Sequence, residues 1–160
     1  MQDLYAGTQV IKLTDKDFRI TPKGVKLTHQ QFKFCDGYVM IYAPWCPHCQ
    51  HKVELWSYLG KQFNEPIERS KVKHSKVEPN YAGEKFRIAV INSEDPKASK
   101  VVSALNVSAI PRFMRASSDV KGDCDLSEYE GVDVSPEELI MGICKVSPKK
   151  KICRFNTTKL

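Results

Sequence analysis

The sequence predicts an α/β domain. Three observations carry this expectation. The runs YVMIY (38–42) and FRIAVIN (86–92) are almost continuously β-branched, aliphatic or aromatic, as strands buried on both faces are. Each precedes a stretch whose apolar residues recur at helical spacing. Near the end, AIPRFMRAS (109–117) and SEYEGV (127–132) alternate like the arms of an antiparallel hairpin around DVKGDCD. This order puts parallel crossovers first and an antiparallel pair last.

Taken in order, QVIKL (9–13) reads as a short first strand. TDKDF then reads as a helix start, with Thr14 as N-cap and Asp17 three residues on. A short helix is expected around THQQFKF, before the central strand 38–42. From Cys46 a helix should run to about Phe63, with Cys49, Val53, Trp56 and Phe63 near one face and Pro47 in its first turn. Residues 64–85 are polar and basic, with two prolines and a glycine, and read as an irregular insertion. After strand 86–92, Asp95 should cap a helix with Pro96 in its first turn and Ala98, Val101, Val102 and Leu105 as its apolar stripe. SPEELIMGIC (135–144) is expected as the last helix, opened by a Ser135–Glu138 capping box. The domain should span 1–147, and 148–160 reads as a basic tail.

The chain has 160 residues, enough for one sizeable core. The net charge of +6 is densest at 68–76 and 147–154. With no zinc-finger spacing and no aromatic–basic RNA motif, it reads as solvated surface, so no nucleic-acid partner is expected. No window is apolar enough to cross a membrane. The first residues lack a basic start followed by an apolar stretch, so an intracellular site is expected: cytoplasm, a virus factory or a virion. The endoplasmic reticulum lumen is the alternative, if the chain was trimmed from a secretory precursor.

The chemistry is concentrated in Cys46-Pro47-His48-Cys49, where the central strand should hand over to a helix. A cysteine attacks as its thiolate. Cys46 would open the helix, where unpaired N–H groups favour a negative sulfur. Cys49 lies one turn further, close enough to close a small disulfide. Such a pair can attack a substrate disulfide, form a mixed disulfide and resolve it, or run backwards. Protonated, His48 would further favour the thiolate and so the reduced state, and a protein with a stabilised reduced state is a stronger oxidant. Half of a zinc site is the competing reading, but no second Cys-x-x-Cys or His pair completes it. No metal and no cofactor beyond the Cys46–Cys49 disulfide is expected.

YAPWCPHCQ (42–50) resembles the active-site segment of the thioredoxin superfamily, most closely its protein disulfide isomerase branch. VIKLTDKDF (10–18), NVSAIPRF (106–113) and YEGVDVSPEEL (129–139) resemble that family's first strand and helix, its segment before the cis-proline, and its last strand and helix. The resemblance implies a thioredoxin-like fold, a central mixed β-sheet flanked by helices. It makes Cys46 the attacking and Cys49 the resolving cysteine, and Pro111 the cis-proline facing them. Ile110 would lend its backbone to the substrate chain, and Trp45 would pack at the rim. Pro-His between the cysteines is the pair of the family's strongly oxidising bacterial member. Three positions depart from the family: Met40 stands where a buried acid usually lies, Val90 where thioredoxins carry a lysine, and Asp133 where isomerases often carry an arginine.

The expected function is therefore a thiol–disulfide oxidoreductase, oxidase or isomerase, acting on protein thiols and disulfides with an unidentified redox partner. The rival reading is a binding or structural module with little turnover. Of the other cysteines, Cys144 should be a buried thiol on the last helix. Cys35, Cys124 and Cys153 fall in expected loops or the tail, where sequence cannot pair them. Oligomeric state is likewise open.

Overall fold

The computed structural model describes residues 3–66, 84–129, 136–146 and 153. Most of the basic insertion and the tail, together with Asp133 and Ser135, lie outside them. The chain divides into two compact units, Met1–Tyr129 and Glu130–Leu160.

The first unit is built on a seven-stranded mixed sheet. Its strands are β1 (Ile11–Leu13), β2 (Phe18–Thr21), β3 (Gly24–Leu27), β4 (Asp36–Tyr42), β5 (Phe86–Asn92), β6 (Arg112–Ser118) and β7 (Cys124–Glu128). Their order across the sheet is β1-β5-β4-β6-β7-β3-β2. β5 is parallel to both β1 and β4, whereas β6 is antiparallel to β4 and to β7. Both central strands are buried along almost their whole length, which is why they read as unbroken apolar runs.

Successive side chains of β4 serve opposite faces. Val39 and Ile41 join Ala89, Ile91, Met114, Ala98 and Val101 in one core cluster. Tyr38, Met40 and Tyr42 point the other way, each at most 1% exposed. On that second face Trp56 of α2 (Val53–Phe63) packs its ring 5.5 Å from Phe113, and its Nε1 donates to the Ala89 carbonyl at 2.9 Å. Burying such a ring stabilises by about 2–3 kcal/mol, and the satisfied indole N–H avoids an offsetting cost. Buried Asn64 follows α2. Its amide donates to the Gln9 and Ile88 carbonyls, both at 2.8 Å, and its oxygen accepts from the Ile88 N–H at 3.0 Å. Arg87 donates to the Phe63 carbonyl at 3.0 Å, one of the orphan acceptors that end the helix.

The main correction to the sequence expectation is at 14–32. Thr14 does begin a turn, with its N–H donating to Asp17 Oδ2 at 2.9 Å, but only a 3-10 turn forms at Asp15–Asp17. The chain then makes the β2–β3 hairpin, which docks on β7. Thr21 and Pro22 bar a helix from continuing, because the residue before a proline is pushed out of the helical region. Gly24, at φ +139, lets the hairpin turn, and Phe18 lies opposite Leu27, both in the core. THQQFKF likewise gives only a 3-10 turn, Gln30–Phe32, with His29 Nδ1 accepting from the Gln31 N–H at 3.1 Å. β7 starts at Cys124, three residues earlier than the alternation suggested.

After β5 the helix expected behind Asp95 forms as a 3-10 turn, Pro96–Ala98, followed by α3 (Ser99–Ala104). In the second unit, α4 (Pro136–Val146) forms where a final helix was expected. Cys144 is not a free thiol. It forms a disulfide with Cys153, nine residues on. The sequence could not show this, because an apolar helix face accounts for a cysteine equally well in either state.

Candidate active site

β4 delivers the site. After Tyr42 the chain turns, with the Cys46 N–H donating to the Ala43 carbonyl at 3.1 Å, and Cys46 becomes the N-cap of α1 (Pro47–Gln50). Pro47 is the first residue of that helix, where a missing N–H costs nothing. The helix expected from Cys46 to Phe63 is interrupted at His51 and Lys52. There the Lys52 N–H reaches the Cys49 carbonyl three residues back, and α2 begins at Val53.

The main-chain N–H of Cys49 donates to Cys46 Sγ at 3.3 Å. Both cysteines are free thiols. Cys46 is 4% exposed and Cys49 fully buried. Burial, aided by the hydrogen bond to Cys46, pushes the Cys49 thiol up to about 12. Pro47 and His48 face solvent. Trp45 is 64% exposed, with its Nε1 donating to Glu94 Oε1 at 3.0 Å. Gln50 fastens the other side of the loop, donating to the Pro44 carbonyl at 2.8 Å.

Sheet register brings the remaining expected residues to this end of the molecule. Arg112, the first residue of β6, lies opposite Ile41 near the end of β4. Ile110 and Pro111 therefore run past that end, beside the segment that carries Cys46. The Ile110–Pro111 peptide bond is cis, and both residues are half-buried. Trp45 to Cys49, which follow β4, and Ile110 and Pro111, which precede β6, thus lie at the same end of two neighbouring central strands. Among the described residues no group of His, Cys, Asp or Glu could hold a metal ion.

Met40 and Val90 are direct partners across β4 and β5, and each is at most 1% exposed. The interior behind the site is apolar at both positions. Tyr5 is a polar group there that the sequence did not single out. Its ring is fully buried and meets that of Tyr42 edge-on at 5.2 Å. Its hydroxyl has no hydrogen-bond partner among the described residues. Burial holds this phenol well above its ordinary range, with Tyr42 and then Cys49 adding to the shift. MQDLYAG carries no local pattern that could have announced Tyr5, since its burial depends on packing against a distant strand.

No family model matches the chain. Solved structures do. A crystal structure of the Trx4 domain of ERdj5 aligns with a TM-score of 0.53 at 16% identity, covering 88% of this chain and 98% of that one. The J-Trx1 fragment of ERdj5 aligns with a TM-score of 0.54, also at 16% identity, over 89% of this chain and 54% of that one. At such identity the likeness concerns architecture. The chain has a thioredoxin-like fold, and its paired cysteines stand where β4 of that fold gives way to a helix.

Proposed function

We propose that the chain is a thiol–disulfide oxidoreductase that acts on protein thiols and disulfides through Cys46 and Cys49. The observation that carries this reading is the asymmetry of the pair. Cys46 Sγ caps a helix and accepts the Cys49 N–H, while Cys49 is buried and keeps its proton. A thiolate accepts an N–H better than a thiol does, so the geometry suits Cys46 as the sulfur that meets substrate. In the oxidising direction a substrate thiolate attacks Cys46 of the closed disulfide. The Cys46–Cys49 bond breaks, Cys49 leaves with the electron pair, and a mixed disulfide remains. A second substrate thiolate then attacks the substrate sulfur and releases Cys46 as thiolate, leaving the substrate oxidised and the pair reduced. Pro47 and His48 favour this oxidase direction, or isomerisation, over net reduction. On this reading a substrate chain would lie between the cis Ile110–Pro111 segment and Trp45.

The apolar pairing of Met40 with Val90 favours a second reading, a binding module of the same fold that resolves mixed disulfides slowly. One assay separates the two. The full chain is oxidised and mixed with a reduced protein substrate whose refolding needs disulfides. Catalysed oxidation that is lost in Cys46→Ser supports the enzyme. Accumulation of a Cys46-linked mixed disulfide without released product supports the slow module. No reaction by either route refutes the redox assignment.

A further inference from the structure

At the opposite end of β4 from Cys46, the sulfur of one further cysteine meets the main chain of another. Cys35 immediately precedes β4, and Cys124 opens β7, 89 residues later. Cys124 Sγ lies 3.1 Å from the carbonyl oxygen of Cys35 and 3.6 Å from that of Phe32. The same Phe32 carbonyl accepts the Cys35 N–H at 2.9 Å. One turn, Phe32 to Cys35, therefore folds around the Cys124 sulfur. The backbone on both sides is fixed. Cys124 is laddered to Leu27 and to Ser118, and the Ser118 N–H donates to Asp36 Oδ1 at 2.9 Å. Both cysteines are free thiols, 5% and 0% exposed.

Two buried thiols can be mere small apolar groups. Here one of them is not sealed off. Cys35 lines an open, polar cleft together with Lys33 and Arg87 and with the carboxylates Asp17 and Glu65, so a small polar molecule can approach it. We propose that Cys35 and Cys124 are a second dithiol, which closes to an intramolecular disulfide when the protein meets a small polar disulfide such as glutathione disulfide. This pair is independent of Cys46 and Cys49. Contact between the Cys124 sulfur and the Cys35 carbonyl makes the two residues neighbours, and closing the pair requires their Cα atoms to come within roughly 4.4–6.8 Å.

The exchange takes two steps. The Cys35 thiolate attacks one sulfur of glutathione disulfide, whose S–S bond breaks and releases one glutathione thiolate. Cys124 then loses its proton and attacks Cys35 Sγ, displacing the second glutathione thiolate. Two protein thiols are oxidised, one glutathione disulfide is reduced to two glutathiones, and the protons from Cys35 and Cys124 end on them. Cys35 goes first because it reaches the cleft and because Arg87 opposes the upward push of burial on its thiol, whereas burial, with Asp36 and Cys35 adding, pushes Cys124 up to about 12. The reaction is correspondingly slow. Once closed, the bond ties the start of β4 to the start of β7.

The test uses the full chain with Cys46→Ser and Cys49→Ser, so that the proposed active site cannot contribute. It is equilibrated in glutathione buffers of rising disulfide fraction at pH 8, acid-quenched, alkylated and digested for mass spectrometry. The Cys144–Cys153 peptide reports that oxidation was complete. The expected result is a cross-linked peptide joining Cys35 to Cys124, with Tm raised by about 5 °C or more relative to the reduced sample. Adding Cys35→Ser should abolish both, and if that variant does not fold, the cross-link and Tm shift in its parent decide the matter. Recovery of Cys35 and Cys124 fully alkylated overturns the proposal. So does Cys35 carrying glutathione beside an alkylated Cys124, or a cross-link that leaves Tm unchanged.

Discussion

The main-chain N–H of Cys49 donates to Cys46 Sγ at 3.3 Å, so the first sulfur of the motif caps the helical turn that buries the second. Accessibility and proton affinity then point the same way. In the reduced protein, Cys46 should react with iodoacetamide between pH 6 and 8 while Cys49 stays unmodified until the protein unfolds. Peptide mapping after a short pulse checks this, and earlier modification of Cys49 would reverse the roles.

Stability should depend on pH above neutrality. Burial pushes Cys49 and Cys124 up to about 12, so the folded chain holds protons that the unfolded chain releases near pH 9. An acid with a raised folded pKa contributes stability that is complete below the unfolded value and lost as pH climbs toward the folded one. Urea midpoints of the reduced protein should therefore fall between about pH 9 and 12. Closing Cys46–Cys49 removes one of these thiols, so the oxidised protein should fall less steeply. Identical pH profiles for the two states would be inconsistent with the burial of Cys49.

His48 is exposed and stands between the two cysteines in sequence. On the proposed oxidase reading His48 favours the reduced pair, so in His48→Ala the disulfide should become harder to reduce. The expected change in the glutathione equilibrium is about three- to tenfold toward the disulfide. Thermal stability should barely move, because an exposed side chain contributes little to packing. A shift toward the dithiol would remove His48 from the redox chemistry.

Met40 lies between Val90 and Phe113 across the sheet and is fully buried. Met40→Glu should lower stability at pH 7 by several kcal/mol, since nothing at that register pairs a carboxylate. The loss should shrink on acidification, because the introduced acid, with its pKa raised by burial, costs nothing once protonated. Release of a peptide linked through Cys46 should meanwhile speed up if an acid there relays the Cys49 proton. Tyr5→Phe provides the contrast, because it deletes a buried hydroxyl that lacks a partner among the described residues. Stability should stay level or rise by about 1 kcal/mol. Release no faster in Met40→Glu than in wild type, but slower in Tyr5→Phe, would assign the proton to the phenol instead.

Local patterns settled much of this protein. The strands at 38–42 and 86–92, the Asp95 turn and the Cys46–Cys49 motif at the end of a buried strand were all legible. Asp95 caps as expected, accepting from the Lys97 N–H at 2.9 Å, and FRIAVIN forms β5 with the same limits. These features follow from alternation, burial and capping over a few neighbouring residues, which is what a sequence records directly. Tertiary structure decided the rest. TDKDF begins like a helix, yet Phe18 gains its place in the core only by facing Leu27 in a hairpin that docks on β7. Glu94 holds Trp45 from 49 residues away, and Tyr5 is buried only because it meets Tyr42. Cys144 pairs with Cys153, whereas Cys124 meets Cys35 across 89 residues. Cysteine spacing alone cannot distinguish these arrangements. Contacts between distant segments depend on how strands order themselves across a sheet, and that order is fixed by burying the whole set of apolar faces at once rather than by any one stretch of chain.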